Sequence, residues 1–137
     1  MTVDHWIEAS ENAQRAQLND IGGMGRVEIE SRLSEAIDAY TVLGSEGEVL
    51  ACLCTHELGE DSVKASVMMV ENIGLRLYAI TKCLRAWLSS EYRVIYADVR
   101  KSFIEGQGWA RLLGFKEYDE INDYYKDGET AIMYRRV

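Results

Sequence analysis

The chain of 137 residues contains no proline. Glycine, at 11 positions, therefore carries all of the strong backbone punctuation. Cysteine occurs only three times, an odd number that does not suggest a secreted disulfide framework, so reduced thiols in the cytosol are expected. No apolar run approaches the ~20 residues that a membrane-spanning helix needs. The first residues, Met1-Thr2-Val3-Asp4-His5, lack the basic segment and apolar stretch of a secretory signal. Positive charge is scarce as well: 15 Lys and Arg against 23 Asp and Glu leave a net charge of -8. Counterion release from a phosphate backbone needs the opposite balance, so neither nucleic acid nor membrane is expected as a partner. Enough apolar sequence remains to bury about two-thirds of the surface of the unfolded chain without a metal or a disulfide. With no linker, repeat or low-complexity tract, residues 1–137 read as one domain.

Residues 4–19 read as a first helix, at least from Ser10, a candidate N-cap, because Glu11 to Leu18 are good helix formers. The glycines of Ile21-Gly22-Gly23-Met24-Gly25 end it. A second helix is expected over 27–39, its buried stripe formed by Val27, Ile29, Leu33, Ala36, Ile37 and Tyr40. The apolar period then falls to two. Tyr40–Leu43, Val49–Thr55 and Val63–Val70 read as three antiparallel strands, with turns at Gly44–Glu48 and Gly59–Asp61. A long helix over 75–89 follows, with Ile80, Cys83, Leu84, Trp87 and Leu88 as its buried stripe. Next come a strand over 92–99, a helix over 103–113 ended by Gly114, and a terminal hairpin turning at Asp127-Gly128. The strand–helix–strand step implies one parallel pair within a mostly antiparallel sheet. The fold class is thus α+β, with helices on both faces of a mixed sheet. Ligand crevices in such sheets open at the carboxyl ends of the parallel strands, here Val70-Glu71 and Val99-Arg100.

This order of elements, together with Val67–Arg76, the strand 94–99 and the tripeptide Leu113-Gly114-Phe115 before a closing hairpin, resembles the GNAT superfamily of acetyl-CoA-dependent N-acetyltransferases. The small acidic members found in tailed bacteriophages look most similar. The resemblance implies acetyl-CoA as co-substrate and direct transfer of acetyl to an amine. The family's cofactor signature, R/Q-x-x-G-x-G/A, falls here on Glu71-Asn72-Ile73-Gly74-Leu75-Arg76. Only Gly74 fits it. Glu71 places a negative charge where the family has a donor, and Arg76 replaces a small residue, although a cation there can pair with phosphate. The resemblance accordingly implies cofactor contacts from Met69, Val70, Glu71, Ile73, Gly74, Leu75 and Arg76, with Arg100 and Lys101 facing the phosphates of CoA. The family's general-acid Tyr falls on Ala110; Tyr118 is the first substitute, with Tyr96, Tyr124 and Tyr125 as others. Glu71 is the candidate base.

Cys52, Cys54 and His56 share one strand face. Same-face positions on a strand lie roughly 6.6 Å apart, whereas thiolates on one zinc sit at ~2.3 Å from the metal. A core-facing pair with an edge histidine is expected, and no metal. Cys83 reads as a core thiol. Asp98 reads either as a group that orients a substrate amine or as an edge carboxylate.

Two functions stay open. The first is an acetyltransferase acting on a protein lysine or small basic amine, favoured by the acidic surface. The second is an inactive GNAT-fold protein that docks on a host or virion protein. Its candidate partner surfaces are the acidic helices or the tyrosine-rich hairpin, the hairpin being alternatively the edge of a homodimer. The expected location is cytoplasmic, in the host cytoplasm or a virion if the chain is phage-encoded.

Overall fold

The computed structural model of the chain describes residues 1–11, 26–70 and 73–137. Its elements run α1 (Val3–Glu11), α2 (Arg26–Glu35), β1 (Asp38–Leu43), β2 (Val49–Gly59), β3 (Ser62–Met69), α3 (Arg76–Glu91), β4 (Val94–Arg100), α4 (Ile104–Leu112), β5 (Lys116–Ile121) and β6 (Ala131–Arg136). The six strands form a mixed sheet in the order β1-β2-β3-β4-β6-β5. The pair β3–β4 is parallel; β1–β2, β4–β6 and β5–β6 are antiparallel. The expected α+β architecture with one parallel pair is therefore present.

The chain divides into two compact units, residues 1–57 with 65–74 and residues 58–64 with 75–137. In the first, α1 begins well before Ser10. The His5 N–H donates to the Thr2 hydroxyl at 3.2 Å, and the Thr2 N–H donates back to His5 Nδ1 at 3.3 Å. That reciprocal pair satisfies N-terminal donors that would otherwise have no partner. Residues 12–25, the rest of the expected first helix and its glycine break, lie outside the described residues. Trp6 and Ala9 of α1 pack with Ile29 of α2, Val49, Cys52 and Cys54 of β2, and Met68 of β3. Helix α2 is shorter than expected because its apolar spacing continues past the real end. Val27 and Ile37 stay half or more exposed, and Tyr40 already belongs to β1.

In the second unit, α3 buries Ile80, Leu84 and Leu88, whereas Cys83 is exposed rather than part of the stripe. The i, i+4, i+8 row wins because it is apolar throughout, and Cys83 sits one position to its side. Helix α4 ends as its sequence predicts: Gly114 adopts φ +96° and the Phe115 N–H donates to the Ala110 carbonyl at 3.0 Å. The closing hairpin is present, but Asp127-Gly128 is not its two-residue tip. Strand β5 stops at Ile121 and β6 starts at Ala131, so Tyr124 and Tyr125 lie in the connecting loop. Within that loop the Gly128 N–H donates to the Tyr125 carbonyl at 2.9 Å, forming a local turn. Charged residues hold this loop in position.

Candidate functional site

Strand β3 leads to the segment on which the cofactor reading rests. Met69, Val70 and Ile73 are buried. The Val70 N–H donates to the Leu50 carbonyl at 3.0 Å, so this amide is committed to the sheet and does not serve as an oxyanion donor. Glu71 and Asn72 lie outside the described residues. Gly74 then adopts φ +59°, a left-handed turn that favours glycine. Leu75, at φ -65° and ψ -19°, occupies the N-cap position of α3 and makes no side-chain cap bond. The first turn of α3 contains no acidic residue and begins with Arg76. A helix start whose N-cap side chain makes no bond, whose first turn contains no acid and whose first position is a cation suits an anion. Leu75 and Tyr78 are exposed around it.

Tyr118, the first substitute for the family's tyrosine, stands half-exposed on β5 and packs edge-to-face on Tyr96 with centroids 5.9 Å apart. Partial burial, and then the Tyr96 phenol, raise its pKa, so the phenol keeps its proton at neutral pH. At the family's tyrosine position, Ala110 is buried. Its neighbour Trp109 donates its indole N–H to the Thr81 hydroxyl at 2.8 Å, and Thr81 donates onward to the Leu77 carbonyl.

Arg100 is not a solvated cation. Its side chain is 3% exposed, and Nη1 bonds Asp127 at 2.8 Å and Glu129 at 2.6 Å. The guanidinium also lies 4.2 Å from the centroid of the Tyr125 ring. Glu129 in turn accepts from the Ser102 hydroxyl and backbone N–H. Both carboxyl pKa values fall below the usual range. For Asp127 the leading cause is a hydrogen bond with the Glu129 backbone, with Arg100 adding to it. For Glu129 it is the Ser102 hydroxyl, then Arg100. Lys101, exposed, pairs with Glu120 at 2.5 Å. The basic pair expected to face CoA is bonded to carboxylates of the loop 122–130 and of β5. Sequence reading missed these partners because Asp127 and Glu129 look like ordinary turn carboxylates, 27 and 29 residues away from Arg100.

Asp98 is not a bare edge carboxylate either. It accepts from the Tyr125 hydroxyl at 2.7 Å and pairs with Lys64 at 2.7 Å. On β2, Cys52 and Cys54 are buried in the core, and His56 Nε2 lies 3.0 Å from the Arg32 carbonyl. Desolvation pushes the Cys52 thiol up to about 11. No helix among the described residues is long and apolar enough to cross a membrane.

No family model matches the chain, and no curated protein matches it in sequence. Solved structures do match in shape. The ribosomal-protein-S18-alanine N-acetyltransferase of Escherichia coli superposes with a TM-score of 0.75 at 17% identity, covering 98% of this chain and 86% of that one. A spermidine N-acetyltransferase chimera from Vibrio cholerae and hSSAT gives 0.77 at 12% identity, covering 100% and 92%. A GNAT-family acetyltransferase from Bacillus anthracis gives 0.71 at 11% identity, covering 100% and 91%. At these identities the likeness speaks for the fold, and the fold of this chain is that of the GNAT acetyltransferases.

Proposed function

We propose that the protein transfers an acetyl group from acetyl-CoA to an amine. The observation that carries this reading is the start of α3: Gly74 at φ +59°, an N-cap residue, Leu75, that makes no side-chain bond, no first-turn acid, and Arg76 in the first position. In the GNAT fold this is where a pyrophosphate is bound, and these residues fit one. The N–H groups that open α3 and the Arg76 guanidinium would hold the phosphates. Met69 and Val70 would line the pantetheine arm with their buried strand end, and Ile73 would brace the turn. The bound thioester supplies the activated acyl carbon. Glu71 takes the proton from the attacking amine, and Tyr118, protonated at neutral pH, returns one to the departing thiolate. With Val70 N–H committed to Leu50, the developing oxyanion needs another donor from the same strand end. Asp and Glu in excess favour a basic acceptor, a protein lysine or a small polyamine.

A second reading has one observation of its own. Ala110 is buried at the family's tyrosine position and Trp109 is spent on Thr81, which supports a chain that keeps the fold without turnover. Such a protein, phage-encoded and working in the host cytoplasm or on a virion, would dock a host or virion protein, or a second copy, through the hairpin tyrosines.

Calorimetric titration of acetyl-CoA, with desulfo-CoA as control, separates the two. Micromolar binding, with acetyl transfer to a lysine peptide that Glu71→Gln slows, is the expected result. No heat and no thermal shift at millimolar acetyl-CoA would exclude the transferase.

A further inference from the structure

Three neighbouring residues on one face of β4, Tyr96, Asp98 and Arg100, are each engaged by an aromatic ring or a charge. Arg100 fastens the loop 122–130 through Asp127 and Glu129, and the ring of Tyr125 lies on its guanidinium. Tyr125 packs edge-to-face on Tyr124 with centroids 5.0 Å apart. The same Tyr125 donates its hydroxyl to Asp98. A nearly fully buried arginine therefore holds two tyrosines beside one carboxylate. A carboxylate beside phenol hydroxyls suits an alkylammonium ion, which gains a charge-assisted bond to the carboxylate and a hydroxyl oxygen as a second acceptor.

That arrangement already holds an ammonium. Lys64 Nζ lies 2.7 Å from Asp98 Oδ1, 3.5 Å from the Tyr124 hydroxyl and 6.0 Å from the centroid of its ring. Burial works to lower the Lys64 pKa, but Asp98 and Tyr124 outweigh it and the net shift is upward, so the charged form is the one held. The pair is not sealed: the Lys64 side chain is 36% exposed, Asp98 14% and Tyr124 38%. Register explains the placement. Lys64 of β3 sits opposite Tyr96 of β4, two residues short of Asp98, which is within reach of a lysine side chain.

We propose that Asp98, with Tyr124 and Tyr125, is an anchoring site for a primary alkylammonium group, and that Lys64 is its resident occupant, displaced when an external amine binds. The inference deepens the acetyltransferase reading, since it names how a basic acceptor is held. Its logic is intramolecular competition: an occupant of the chain's own lowers apparent affinity by the fraction of time the site is free.

The test is calorimetric titration of 1,4-diaminobutane, without acetyl-CoA, into the full chain. Lys64→Met should bind the diamine about tenfold tighter than the natural chain, because the internal competitor is gone. Adding Asp98→Asn to Lys64→Met should abolish that gain. Lys82→Met, which removes one positive charge from α3, controls for the general attraction of an acidic surface. Lys64→Gln is the second variant if the methionine perturbs folding; it removes the ammonium and keeps a polar chain. An unchanged affinity in both Lys64 variants, a gain that survives Asp98→Asn, or an equal gain in Lys82→Met overturns the proposal. The acetyltransferase reading stands or falls separately. Diamine binding without acetyl-CoA binding keeps the anchor and loses the transferase. Acetyl-CoA binding with no Lys64 effect does the reverse.

Discussion

Strands β2 and β4 both lie inside the sheet, yet they are built on different principles. From Val49 to Thr55, seven consecutive residues of β2 are buried, so both faces are covered and no position needs a charge. In β4 only Ile95 and Arg100 are fully buried, and one face bears Tyr96, Asp98 and Arg100. Strand β2 is held by packing; β4 holds a loop in place by charge. Packing is cooperative, local and chemically inert, as the raised pKa of Cys52 and Cys54 attests. A partly buried polar network restricts which groups can approach it, which is why the candidate ammonium site sits on β4.

The largest expected effect comes from cutting into β2. Leu53 is 2% exposed, and Leu53→Ala should lower unfolding free energy by about 3 kcal/mol, as truncation of a well-packed core leucine does. Val94→Ala on half-buried β4 should cost about 1 kcal/mol. Urea unfolding of both variants checks the contrast. Equal losses would mean that the two strands do not differ in packing, and the comparison would fail.

Arg100 comes second. Arg100→Met should cost about 2 kcal/mol, below the 3–5 kcal/mol of a fully buried pair, because Asp127 and Glu129 keep contact with water. It should also change the response to acid. Both carboxyls have folded pKa values below their ordinary 3.8 and 4.5, so their contribution is present above that range and is lost as pH falls through the lowered values. The natural chain should therefore lose stability below about pH 4.5, and Arg100→Met should lose less of it over the same interval. Urea midpoints between neutral and acid pH give the two slopes. Parallel slopes would place the acid sensitivity elsewhere and remove the claim that charge holds the loop.

What the sequence made legible follows the same division. Strand period and glycine placement gave β2, β3 and the Gly114 helix end to within a few residues, because each depends on neighbours along the chain. The end of α2 was overrun because Ile37 and Tyr40 continue a helical spacing that β1 pairing overrides. Cys83 was misplaced by one helical position. The loop partners of Arg100 were out of reach: nothing local distinguishes Asp127 and Glu129 from solvated turn carboxylates, and only the fold brings them to β4. Lys64 and Asp98 were equally silent as a pair, since their meeting depends on the parallel register Lys64↔Tyr96. The cofactor segment was the reverse case. Its residues were picked out by resemblance; Gly74 takes a left-handed turn before α3, and Glu71 lies outside the described residues.

The smallest expected effect separates a binding residue from a structural one by comparing two readouts. A basic residue in the first turn of a helix opposes the macrodipole, so the dipole does not favour Arg76 there. Arg76→Ala should move the melting temperature little, because the dipole gain offsets the loss of the contact that Arg76 makes in the fold. The same substitution should weaken acetyl-CoA binding about threefold, the size expected of one exposed cation at a helix terminus, ~0.3–1 kcal/mol. Raising the salt concentration should shrink the difference, because exposed charges are screened. Thermal unfolding and calorimetry on one preparation give both readouts. A loss of affinity with stability held marks a residue placed for an anion. If stability and affinity fall together, Arg76 belongs to the scaffold of α3, and the phosphate reading of that turn rests on backbone N–H groups alone.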